Sequence, residues 1–191
     1  MGMTRFDRAI ERIDGEAVAV RIHPFQLDPD APVPGIPALQ RYAQKFGSEA
    51  SSILRRVQDE AAKDGLELRF DRAITANTFD AHRALRFAAS AGKERELEMS
   101  LYRAYFTDGL DVSDRAVLAD RAAGVGLGRA EVLAYLEGDA GSDELRGELR
   151  EALDVGISGV PAFAFEQKYL VPGAVPTDTF VQIFERFRAT R

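Results

Sequence analysis

The 191-residue sequence contains no cysteine. Without a thiol, the chain cannot form a disulfide, bind a metal through thiolates, hold an iron-sulfur cluster or use a cysteine nucleophile. It has only two histidines, His23 and His82. Asp80 lies two residues before His82, a spacing that does not put both side chains on one helix face. We therefore expect no metal site and no catalytic residue of these common types.

Long apolar runs and basic stripes are also absent. The most apolar stretch, Val155 to Phe165, is interrupted by glycines and by Pro161, so it does not predict a membrane span. The net charge is -6, with Lys and Arg interleaved among Asp and Glu, which disfavours nucleic acid and anionic lipid as partners. The N-terminus is charged where an export signal needs an apolar core, and the expected compartment is the cytoplasm.

Both ends of the chain mix helical and strand patterns. Apolar residues at helical spacing predict a helix from Thr4 to Asp14, and a run of β-branched residues predicts a buried strand from Ala17 to Ile22. Towards the other end, the patterns predict a helix from Ser142 to Val155, strands at Ala162 to Phe165 and Tyr169 to Val171, and a helix whose first position is Pro176.

The middle of the chain reads as mostly helical, after a proline-rich passage from Pro24 to Pro37. Glycines at helix C-terminal positions separate six predicted helices, at 38–46, 48–64, 78–91, 93–107, 113–123 and 129–136. Only Leu66 to Phe70 suggests a strand there. We therefore predict two domains, one formed by residues 1–30 plus 142–191 and the other by a helical insertion over residues 31–141.

Three separated segments carry a family resemblance. They are Gly156 to Phe165 followed by Tyr169 to Ala174, His23 to Pro29 (H-P-F-Q-L-D-P), and Asn77 to Arg83 (N-T-F-D-A-H-R). In their order along the chain they resemble DsbA-like thioredoxin-fold oxidoreductases, and most closely the FrnE-type branch, whose members are cytoplasmic and have a helical insertion. The resemblance implies an α/β thioredoxin fold with a large all-helical insertion, here with its first strand missing.

The resemblance also implies where a substrate would bind. Gly159, Val160 and Pro161 correspond to a family step in which a cis-proline faces the active site and the preceding backbone pairs with a peptide. His23, Pro24, Asn77 and His82 are weaker candidates for the same cleft. The implied partners are thiol or disulfide groups of proteins and peptides, and no cofactor is implied.

The chain departs from the family pattern at its beginning. Family members carry a strand and then C-x-x-C at the start of the first helix, whereas Met1 to Phe6 resembles the segment just after that motif. We hypothesise that the chain begins at an internal methionine and that the strand and dithiol are encoded upstream; the alternative is that the motif has been lost. A missing middle strand would leave two strand edges unpaired, and the sheet would close over the gap or capture a strand from a second copy in a homodimer.

Three functions remain open at this point. The first is a disulfide oxidoreductase or isomerase that cannot catalyse exchange as this cysteine-free chain. The second is a peptide-binding homologue without redox chemistry. The third follows from a resemblance to 2-hydroxychromene-2-carboxylate isomerases, which share the scaffold and use glutathione.

Other patterns predict ordinary structure. Gly124 to Gly128 lacks the preceding strand of a nucleotide-binding loop and predicts an interhelical turn. Asp28 and Asp30 flank a proline in a loop, where carboxylates are usually solvated.

Overall fold

The computed structural model describes every residue except 14–17, 167, 190 and 191. Its contacts divide the chain into two units: unit 1 comprises Met1–Leu27 and Glu151–Arg191, and unit 2 comprises Asp28–Arg150. The sequence predicts domain boundaries at residues 30/31 and 141/142. The predicted and observed boundaries differ mainly around the helix Ser142–Asp154, which the prediction gives whole to the first domain and the structure divides between the units. No helix in the described part of the chain is long and apolar enough to cross a membrane.

Nine α-helices and four short strands lie within the described residues. In chain order they are α1 (Gly2–Arg12), β1 (Ile36–Pro37), α2 (Ala38–Phe46), α3 (Ala50–Lys63), β2 (Ile74–Thr75), α4 (Phe79–Ser90), α5 (Glu94–Arg103), α6 (Arg115–Gly124), α7 (Arg129–Glu137), α8 (Ser142–Asp154), β3 (Ala162–Phe165), β4 (Tyr169–Pro172) and α9 (Thr177–Arg188). The six helices predicted for the middle of the chain are confirmed, and so is the turn between α6 and α7. A π-helical segment, Ala104–Asp108, continues α5.

Unit 1 packs α1 and α9 against one face of a β3–β4 hairpin. Phe6 of α1 stacks on Phe163 of β3, with ring centroids 5.2 Å apart, and meets Phe180 of α9 edge-on at 5.4 Å. Phe163 and Phe180 are themselves 4.7 Å apart. Because aromatic pairs in these geometries add to the free energy of burial, this cluster holds the two ends of the chain together.

The predicted strand from Ala17 to Ile22 is wrong for the residues that can be checked. Val18 to Ile22 form no strand, and Ala17 lies outside the described residues. A strand requires a neighbour to pair with, and β3 and β4 form a two-stranded sheet of their own. Val18 instead packs its side chain against the aromatic cluster of unit 1. Among the described residues, the predicted closure of the sheet over the gap is therefore not seen.

The strand suggested at Leu66 to Phe70 is also wrong. Several of its backbone groups have partners outside any strand: Arg69 N–H donates to Phe106 O, while Leu68 O and Glu67 O accept from the side chains of Gln58 and Thr107. None of these bonds comes from a strand. The strands of unit 2 are the two-residue pieces β1 and β2, which pair antiparallel.

Arg83 organises the helices of unit 2 from a buried position, with a relative exposure of 2%. Its guanidinium lies at the C-terminus of α7, where helix carbonyls lack partners within the helix. It donates to the carbonyls of Tyr135, Leu136, Gly138 and Ala140 and to the carboxylate of Asp80. One side chain thus joins α4 to the end of α7 and satisfies several buried acceptors.

We predict that Arg83→Met lowers the free energy of unfolding by about 3 kcal/mol, because it leaves buried acceptors without a donor. Arg86→Met is the matched control, since Arg86 lies on the same helix but forms a half-exposed ion pair with Glu148. Arg86→Met should lower the free energy of unfolding by less than about 1 kcal/mol. Denaturant unfolding checks both variants, and equal losses would contradict the assignment of Arg83 as the main tie.

Candidate functional site

The residues predicted for the site fall in both units. Gly159, Val160, Pro161, His23 and Pro24 belong to unit 1, and Asn77 and His82 belong to unit 2. Within unit 1, His23 is exposed and Pro24 is half-buried. Their participation in a common cleft stays a prediction.

Pro161 lies where the loop after α8 enters β3. The peptide bond between Val160 and Pro161 is cis, and the Val160 side chain is 51% exposed. Pro161 O accepts a hydrogen bond from Gly173 N–H at 2.8 Å, which fixes the start of β3 against the end of β4. The start of this hairpin is therefore an ordered position with an exposed apolar side chain beside it.

Gly2 brings the first turn of α1 directly against Pro161. A Cβ atom at Gly2 would lie 2.6 Å from Pro161 Cγ and 3.4 Å from Phe163 Cε2. Arg5, one turn later, donates to Ala174 O at 2.7 Å and so links α1 to the loop after β4. The sequence analysis did not predict the contact of Gly2 with Pro161, although Gly2 lies in the Met1 to Phe6 segment of the resemblance.

The backbone of β3 alternates between its partner strand and an open side. Pro161 and Phe165 carbonyls bond towards β4, and Phe163 pairs with Val171 in the same register. Since antiparallel strands alternate the direction of their backbone groups, the N–H and C=O groups of Ala162 and Ala164 point away from β4. We call these groups the free edge of β3. No hydrogen bond to them is found among the described residues.

The opposite edge of the hairpin is less suited to pairing. Leu170 and Pro172 pair with Ala164 and Ala162, so their backbone groups point away from β3. Pro172 has no N–H, and one of the two donors on that edge is therefore missing. An added strand would find complete donors and acceptors only on the β3 side.

Asn77 already serves a local purpose in unit 2. Its side-chain amide donates to Pro29 O at 2.7 Å and its backbone N–H donates to Pro32 O at 3.1 Å. Its side-chain oxygen accepts from Phe79 N–H at the start of α4. These bonds fasten the proline-rich passage to α4. His82 is half-buried on α4.

A second polar cluster in unit 2 surrounds Asp28. The prediction that this carboxylate is solvated is wrong, because Arg41 binds it with two parallel hydrogen bonds of 3.0 Å. Burial, and then the charge of Asp28, raise the pKa of Tyr42 above its ordinary value. Burial is also the main cause of the raised pKa of Tyr105, whose hydroxyl lies 3.2 Å from that of Thr75.

Among the described residues, no group of three or more His, Asp or Glu side chains could hold a metal ion.

Comparison with known proteins gives a consistent result. The family model of the DSBA-like thioredoxin domain matches residues 1–185. A probable DsbA oxidoreductase from Streptomyces coelicolor superposes with a TM-score of 0.90 at 33% identity, covering 100% of this chain and 84% of that one. A putative protein disulfide isomerase from Nitrosomonas europaea superposes with a TM-score of 0.64, covering 81% of this chain and 90% of that one; at 15% identity it supports the fold alone.

A curated relative is similar over nearly the same length. The uncharacterized protein YwbO of Bacillus subtilis strain 168 is 28% identical over 182 residues, which covers 94% of this chain and 86% of that protein.

We predict that Gly2→Ala destabilises unit 1 by about 1 to 3 kcal/mol, because the new methyl group would overlap a stiff proline ring. Gly147→Ala in α8 is the matched control, since a Cβ there meets no atom within 4 Å. That variant should be neutral or slightly stabilising through its helix propensity. Thermal unfolding distinguishes them, and a neutral Gly2→Ala would contradict the close approach.

We predict that Asp28→Asn lowers the pKa of Tyr42 but leaves it above the ordinary value, because burial is the larger cause. The pKa of Tyr105 should fall less, since Asp28 is the smallest of its causes. Titration of the tyrosine Cζ resonances by NMR measures both shifts, and an unchanged Tyr42 would contradict the proposed electrostatic coupling.

The same shift has a consequence for stability. Because the folded-state pKa of Tyr42 lies above the unfolded-state value, the protonated side chain contributes to the free energy of unfolding. This contribution is fully present below about pH 10 and is lost as pH rises through the folded-state pKa. Asp28→Asn should therefore make the alkaline decline in stability shallower.

Proposed function

Because the chain belongs to the DSBA-like thioredoxin domain family, a family of thiol-disulfide oxidoreductases, we propose that it holds the extended peptide substrates of thiol-disulfide exchange. The peptide backbone would lie beside Pro161 and pair with the backbone of Val160. The chain itself contributes binding and orientation, and the sulfur chemistry requires groups that it does not contain.

The single observation that carries this proposal is the exposed Val160 directly before Pro161. No hydrogen bond to the Val160 backbone is found among the described residues. An extended peptide can pair with such a backbone, gaining affinity from backbone hydrogen bonds and selectivity from side-chain contacts. The exposed Val160 side chain would favour an apolar residue in the bound peptide.

The exchange reaction defines what is missing. A thiolate attacks one sulfur of the substrate disulfide, a mixed disulfide forms, and the other sulfur leaves as a thiolate. No group in this chain can act as that thiolate. The hypothesis that a dithiol is encoded ahead of Met1 stays a prediction, which translation of the upstream DNA tests. A peptide-binding protein without redox chemistry is the alternative.

The FrnE-type branch and the cytoplasm are further parts of this proposal. The helical unit inserted between the two segments of unit 1 supports the assignment to that branch. A fusion to a fluorescent protein in the native host would test the compartment.

We predict that the chain binds an unfolded, carboxymethylated protein without accelerating the reduction of insulin by dithiothreitol. Resonances of Gly159 and Val160 should shift most in an NMR titration. Val160→Asp should weaken binding about tenfold, because the bound backbone would bury the new carboxylate.

Gln182→Glu provides the charge control, since it adds one negative charge on the exposed side of α9. Its affinity should match that of the parent chain. Equal weakening by both variants would show a general charge effect, and an unshifted Val160 would place the peptide elsewhere; either result rejects the proposed site.

A further inference from the structure

A groove on the surface of unit 2 lies between α5 and α6. Its volume is about 740 Å³, which falls within the usual range of ligand pockets. Met99, Ser100 and Arg103 line it from α5, and Arg121 and Gly124 line it from the last turns of α6. We propose that this groove binds a small amphipathic carboxylate, in which a single negative charge ends an apolar chain. The inference rests on unit 2 alone and does not depend on the peptide site beside Val160.

The π-helical segment Ala104–Asp108 and the turn after it contribute to the wall of the groove. Asp108 ends this segment, and both Asp108 and Leu110 line the groove. Gly109 lies between them with a φ of +70°, and a Cβ there would lie 2.6 Å from Arg72 O, so the turn requires glycine. π-Helical turns are rare, and they often occur at functional sites. This one brings a carboxylate and an apolar side chain to the same groove.

The charged side chains of the groove leave one cation in excess. Asp108 accepts a hydrogen bond of 2.6 Å from Arg121, and Asp120 is paired with Arg129 of α7. The second oxygen of Asp108 lies 3.6 Å from Arg103, which is too long for a hydrogen bond. The Arg103 side chain is 74% exposed, and its guanidinium donates no hydrogen bond within the described part of the chain. Three arginines therefore face two aspartates, and Arg103 is the cation that a ligand can reach.

The chemistry around Arg103 selects the ligand. A guanidinium can donate two parallel hydrogen bonds to one carboxylate, which fixes the orientation of the bound group. One excess positive charge matches a monoanion, whereas a phosphate dianion would be repelled by Asp108 and Asp120. Met99 lies one helical turn before Arg103 and is 43% exposed, and Leu110 is half-buried. Because a methionine side chain adapts to irregular apolar shapes, it can pack against the chain of the ligand.

The test is an NMR titration of the full chain labelled with ¹³C at the methionine methyl groups, using octanoate as the probe. The Met99 methyl should shift with a saturable dependence on octanoate, and Met3, which lies in unit 1, should not move. Octanamide has the same chain without the charge and should bind about tenfold more weakly. Octyl phosphate should bind no more tightly than octanoate.

Two pairs of variants identify the groove. A Cβ at Gly124 meets no atom within 4 Å, so Gly124→Leu should fill the groove without displacing the protein and weaken octanoate binding about tenfold or more. Gly147→Leu is the control, because Gly147 lies on α8 and has the same open surroundings. Arg103→Gln should also weaken binding about tenfold. Arg55→Gln removes an exposed positive charge from α3 and should leave the affinity within about threefold, as should Gly147→Leu.

Four results would overturn the proposal. The first is an unmoved Met99 methyl at about 10 mM octanoate, where a ligand of millimolar affinity would be mostly bound. The second is an equal shift of Met3, which would show non-specific binding of the apolar chain. The third is that octanamide binds as well as octanoate or that octyl phosphate binds more tightly, since either excludes a monocarboxylate site. The fourth is that Gly124→Leu or Arg103→Gln, folded by far-UV circular dichroism, binds octanoate no more weakly than its control.

Discussion

The packing of Phe6 against Phe163 and Phe180 is the contact on which unit 1 depends. It joins a helix from the beginning of the chain to a hairpin and a helix from the end, and Gly2 allows α1 to reach Pro161. Because Phe163 belongs to β3, the same contact fixes one face of the strand whose edge is open. The candidate site is therefore held by the aromatic core, and its position does not rely on flexible loops.

A thioredoxin fold with a helical insertion normally serves sulfur chemistry, and this chain keeps the fold without the sulfur. The contact proposed for a peptide is then the exposed Val160 directly before Pro161. Pro161 is held in turn by Gly2 of α1 and by the hydrogen bond from Gly173.

The sequence predicts the parts of this structure that depend on local pattern. Helix α2 begins and ends where apolar spacing and Gly47 indicate, and the Ala162 to Phe165 strand follows from its own residues and the turn after it. Val18 to Ile22 has the composition of a strand but no strand, because pairing depends on a neighbour that local pattern cannot supply. Asp28 bonds to Arg41, and Gly2 contacts Pro161. Both contacts depend on how the chain folds in three dimensions, so the spacing of residues along the sequence does not predict them.

The division of the chain also bears on the order in which it folds. Unit 2 is one continuous segment, whereas unit 1 is assembled from two segments that lie on either side of it. Bringing the ends of a long flexible segment together costs conformational entropy, and that cost falls once the segment has become compact. We therefore expect the helical unit to form first from its local contacts. By shortening the effective distance between residues 28 and 150, it would help the two segments of unit 1 to meet.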